Sequence, residues 1–76
     1  MKQLLEGLAR ALVKEPSRVR VTEWTEEGIV HFDLEVSDLD RGRVIGRGGR
    51  TADALRTLLD AVARRRGTPC DMEILG

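Results

Sequence analysis

Apolar residues first recur at helical spacing. Leu4, Leu5, Leu8, Leu12 and Val13 form one stripe of a helix over 2–14. "EPS" ends it, because the residue before a proline is pushed out of the helical region. The pattern then switches to alternation. Residues 18–24 (RVRVTEW) and 29–36 (IVHFDLEV) read as two strands, joined by a "TEEG" hairpin loop. Pairing Trp24 with Ile29 sets Val21 against Phe32 and Val19 against Leu34 on one face. The same register sets Arg20 against Asp33 and Arg18 against Glu35 on the other. One face suits a core and the other suits solvent.

Ser37 followed by Asp40 resembles a capping box at the start of a short helix from about 38 to 45. Glycines 46, 48 and 49 end that helix. A longer helix follows from about 50 to 65, with Ala52, Leu55, Leu58, Leu59, Val62 and Ala63 as its stripe. Gly67 reads as its C-cap, with Pro69 just beyond. Residues 70–75 alternate again. The order α-β-β-α-α-β predicts an α+β fold, a three-stranded sheet covered on one face by three helices.

The chain of 76 residues reads as a single domain, 1–76. Its one Cys and one His cannot build a structural zinc site or an internal disulfide, and a reducing cytoplasmic setting fits. Charges interrupt the N-terminal leucines at Glu6, Arg10 and Lys14, which excludes a signal sequence or a membrane span. Zero net charge hides a polarity. Residues 41–66 carry eight arginines and two acids, a +6 segment balanced by −6 elsewhere. Such a separation points to an anionic partner.

The basic segment contains "VIGRGGRT". A P-loop would place its first glycine at position 44, which is Val. A dinucleotide fingerprint would need a glycine at position 51, which is Thr, after a strand rather than a helix. A helix–GxxG–helix clamp remains, formed by Gly46, Arg47, Gly48 and Gly49. Glycines allow a tight turn and a close approach of a nucleic-acid backbone. The following helix N-terminus favours phosphate, and Arg47 adds a charge that can fork onto its oxygens.

With these elements in place, "DLDRGRVIGRGGRTADALRTLLDAVA" resembles the KhpA family, small bacterial proteins that are a single type II KH domain. The resemblance covers the whole chain and is most specific from Ile45 to Leu59. It implies a cytoplasmic single-stranded RNA-binding protein without catalytic activity or cofactor, an RNA chaperone or adaptor in post-transcriptional control. It also implies a homodimer, or a heterodimer with a KhpB (Jag)-like KH protein. By position, Gly46 to Gly49 would form the clamp, Val44 and Ile45 would help build an apolar groove, and Arg50 would stand where the second helix receives a phosphate. Arg43 flanks the loop on the other side. Gly48 stands where a polar or basic residue is common. The alternative function is a protein-interaction module that works through a KH partner with little RNA binding of its own.

Other residues fit plainer roles. Arg64, Arg65 and Arg66 complement the helix dipole, and His31 reads as a surface residue opposite Thr22. Cys70 reads as a small buried hydrophobe. Trp24 and Ile29 would sit together on the exposed sheet face, against a base or a protein surface.

Overall fold

A computed structural model of the chain describes residues 1–75. Helix α1 spans Lys2–Leu12, and strands β1 (Arg20–Glu26) and β2 (Ile29–Glu35) form an antiparallel hairpin. Helix α2 (Arg41–Ile45) is short, α3 (Arg50–Arg66) is long, and β3 (Cys70–Ile74) closes the sheet. The strand order is β1-β2-β3, and β3 lies parallel to β2. The order of elements is the expected one. Helix α1 lies over β1 and α3 over β3, while α2 packs chiefly on α3.

The core gathers Leu5 and Ala9 from α1, Val21, Phe32, Leu34 and Met72 from the sheet, and Val44, Leu55 and Leu59 from α2 and α3. Full burial of a side chain the size of Phe32 or Leu34 contributes roughly 1.5–3 kcal/mol. The expected stripes are wider than the buried ones. Leu4, Leu12 and Leu58 remain 39–49% exposed, because Leu5 with Ala9 and Leu55 with Leu59 already fill the helix–sheet interface.

Three local expectations are corrected. First, α1 stops at Leu12 rather than residue 14, with Val13 already extended. The backbone N–H groups of Lys14 and Glu15 donate instead to the two carboxylate oxygens of Asp40, each at 3.0 Å. Second, Ser37 and Asp40 do not form a capping box. The Ser37 hydroxyl donates to Asp40 Oδ2 at 3.0 Å, and no side chain caps either helix at this point. A 3₁₀ turn over Asp38–Asp40 leads into α2. Third, the hairpin is paired two residues away from the expected register. Val21 faces Leu34, and Trp24 faces His31 rather than Ile29. The loop is two residues, Glu27 and Gly28, both at positive φ as a type I′ turn requires. A slip of two keeps every side chain on its expected face. Of the expected charge pairs, Arg20 now lies across from Glu35. Arg18 falls in a 3₁₀ turn ahead of the strand.

The far end of α3 follows expectation. Gly67 adopts φ 72°, its N–H donates to the Arg64 carbonyl, and the Thr68 N–H donates to the Ala63 carbonyl. This is a Schellman motif.

Candidate nucleic-acid interface

The connection between α2 and α3 consists of four residues, 46–49. Gly46 leaves α2 at φ 76°, ψ 169°, with its N–H donating to the Gly42 carbonyl at 2.9 Å. Gly48 and Gly49 follow at φ 64° and 80°, and Arg50 begins α3. Three positive φ values in four residues explain why these positions are glycine. The glycines differ in what surrounds them. A Cβ on Gly46 would lie 2.8 Å from the Thr51 Cβ and from its backbone N, so the start of α3 rests against bare backbone there. A Cβ on Gly48 or Gly49 would meet nothing within 4 Å. Backbone is therefore exposed to an approaching chain along the 48–49 edge.

No side chain caps the N-terminus of α3. The first turn of a helix presents backbone donors and a partial positive charge. Arg47 and Arg50 stand exposed on either side of the glycine pair. Among the described residues neither forms an ion pair, whereas Arg41, Arg43 and Arg56 pair with Asp38, Asp40 and Asp53 respectively. The free cations beside the turn are thus Arg47 and Arg50.

The remaining expected site residues fall in two groups. Ile45 is 38% exposed beside the turn and can touch a ligand. Val44 is fully buried in the core and can only support the turn from beneath. Arg43 is half-exposed, with its guanidinium Nε 3.5 Å from Asp40 Oδ1. It lines an open cleft of about 310 Å3 with Lys14, Glu15, Leu39 and Asp40. Leu39 is 88% exposed at that cleft.

Asp40 is a structural component that sequence reasoning assigned only to the helix start. It is 1% exposed. The Lys14 N–H bond lowers its carboxyl below the ordinary value of 3.8, against the opposing effect of burial. The Glu15 N–H, the Ser37 hydroxyl and Arg43 act in the same direction. The carboxylate ties the start of α2 to the end of α1 and so fixes the approach to the turn. Thr51 is the second component missed, since only the three-dimensional path brings it under Gly46. Cys70 is half-buried, and burial followed by the nearby Asp60 carboxylate raises its thiol pKa. A raised thiol is a poor nucleophile.

The family described as "KhpA/KhpB, KH domain" matches residues 2–74. The RNA-binding protein KhpA of Clostridium acetobutylicum is 43% identical over 75 residues, covering 99% of this chain and 100% of that one. The RNA-binding protein KhpA of Treponema pallidum is 45% identical over 74 residues, covering 97% and 92% of the two chains. Among solved structures, Era of Aquifex aeolicus bound to GDP.AlF4- superposes with a TM-score of 0.68 at 14% identity, over 96% of this chain and 28% of that one. That likeness concerns the fold, in which three helices and a mixed three-stranded sheet take the type II KH arrangement. With a match along nearly its whole length, the chain belongs to the KhpA/KhpB KH-domain family.

Proposed function

We infer that this chain binds single-stranded RNA across the turn between α2 and α3. The observation that carries the reading is the open Gly48–Gly49 backbone edge, set between the unpaired Arg47 and Arg50 at an uncapped helix N-terminus. A nucleic-acid backbone can lie on this edge, with phosphates against Arg47, Arg50 and the first turn of α3, and with Ile45 offering an apolar contact for a base. Such a clamp spans about four nucleotides. So short a footprint favours use through avidity, in a homodimer or beside a KhpB-like KH protein. The chain then acts as an RNA chaperone or adaptor rather than an enzyme, in the cytoplasm. The relatives named above as RNA-binding proteins support this reading.

The test is a titration with fluorescent oligouridylate. Aspartate tolerates the left-handed conformation that Gly48 adopts, so Gly48→Asp adds a negative charge with little strain. Arg47→Asp combined with Gly48→Asp should weaken binding at least about tenfold, the equivalent of about 1.4 kcal/mol. Equal binding by the variant and the parent would rule out the clamp.

A further inference from the structure

The outer face of the sheet, turned away from all three helices, has a composition unlike that of the clamp. Along it run four cross-strand rows, the outermost setting Glu26 beside Ile29. Trp24 lies beside His31 and His31 beside Asp71. Thr22 lies beside Asp33 and Asp33 beside Glu73. Arg20 lies beside Glu35. The Trp24 and His31 rings stack with centroids 5.3 Å apart and planes 24° from parallel. His31 Nδ1 donates to Asp71 Oδ1 at 2.7 Å, which fixes the ring under the indole. Trp24 nevertheless stays 40% exposed. Trp24, His31, Asp33, Asp71 and Glu73 line an open groove of about 440 Å3, with Arg56 of α3 also on its wall, its Nε donating to the Met72 carbonyl.

Two features of this face are unfavourable for an isolated protein. Asp33 and Glu73 sit directly across from each other, and like charges in register destabilise a sheet. By alternation Glu26, Asp33, Glu35, Asp71 and Glu73 all point to this face against Arg20 from the strands, and Arg56, which reaches the groove from α3, is already paired with Asp53. A face of this charge repels phosphate, so Trp24 is not a platform for RNA bases. It suits a guanidinium, which can lie over the indole within about 6 Å of its centroid while its N–H groups reach carboxylates.

We propose that the outer sheet face is a docking site for an arginine-rich segment of a protein partner, with one guanidinium on Trp24 and its neighbours near Asp33 and Glu73. The occupant follows from charge complementarity and from the aromatic stack in the middle of the charge. The surface is separate from the clamp, so RNA and the basic segment can be held together.

Trp24 is the one tryptophan of the chain and reports directly on its own face. Titration with hexa-arginine at low salt should change Trp24 emission saturably. The Gly48→Asp protein should respond identically. Asp33→Asn with Glu73→Gln should weaken the response about tenfold, while its circular dichroism and Tm stay at or above those of the parent, since a like-charge pair is removed. The proposal is overturned by an unsaturable or absent emission change, or by equal affinity of the double variant. It is also overturned if oligouridylate changes Trp24 emission in the Gly48→Asp protein, which would make the face a nucleic-acid surface. An emission change that follows protein concentration instead of peptide, with matching self-association by sedimentation, would assign the face to a second copy and overturn it too.

Discussion

Single residues set the tightest conditions on this molecule. At Gly46 a Cβ would lie 2.8 Å from both the Cβ and the backbone N of Thr51, and the residue also requires φ 76°. Gly46→Ala should therefore cost about 1–3 kcal/mol, read from urea denaturation. Gly7 offers the opposite case. It lies inside α1, and a methyl group there would meet nothing within 4 Å, so Gly7→Ala should gain roughly 0.5–1 kcal/mol. Asp40 sets a pH condition. Its folded pKa lies below the ordinary 3.8, so its contribution is fully present above that value and is lost as pH falls through the lower folded one. Asp40→Asn turns one acceptor into a donor facing the Lys14 or Glu15 N–H, and should lower Tm at neutral pH. The gap between parent and variant should narrow below about pH 4. A gap that stays constant into strong acid would show that the carboxyl has the same pKa folded and unfolded, so that its charge adds nothing to the fold. The serine and aspartate of this motif were legible in the sequence as a helix start. Their partners beyond α1, 25 and 26 residues away, were not, since no local pattern encodes a long-range backbone contact.

At the scale of the elements, five of the six main helices and strands follow from periodicity and α2 from its start signal and the glycines that end it, and the errors lie at the ends. The hairpin shows why. The alternation of Val19, Val21, Phe32 and Leu34 determines which face is buried, and a register slip of two leaves that face unchanged. Only the turn distinguishes the two registers, and here it places Glu27 at φ 53°, a conformation that glutamate propensity does not announce. Asn-Gly is the preferred pair for this turn, so Glu27→Asn should stabilise the protein by about 0.5–1 kcal/mol in thermal or chemical unfolding. No change, or a loss, would argue against the two-residue turn. For the glycine turn the spacing in the sequence located the bend between α2 and α3. It could not show that Gly46 is closed against Thr51 while Gly48 and Gly49 face open space.

Across the whole molecule, charge is sorted by side. The +6 segment was legible from a count, but its use depends on pairing. Once Arg41, Arg43 and Arg56 are engaged by carboxylates, Arg47 and Arg50 are the cations left free at the turn. RNA affinity should then fall with salt as expected for about two or three phosphate contacts, a slope of log K on log salt of roughly −1.4 to −2.1 for single strands. A steeper slope would bring in the arginines at the end of α3, and a flat one would argue against phosphate contacts altogether. The acidic balance of the chain is not spread at random either. Much of it stands on the outer sheet, where the alternation that buries Met72 and Phe32 turns Asp71 and Asp33 outward.

The turn at 46–49 has a consequence in chirality. Gly46, Gly48 and Gly49 occupy the half of backbone space that mirror-image amino acids prefer. At 48 and 49 an L-methyl group would meet no neighbour, so the strain it would suffer comes from backbone handedness and not from crowding. In a chemically synthesised chain, D-alanine at position 48 would keep the left-handed bend while removing the freedom that glycine has in the unbound and unfolded states. The surface proposed to meet RNA is therefore a place where the handedness of the building block, and not its side-chain chemistry, governs how firmly the turn is formed.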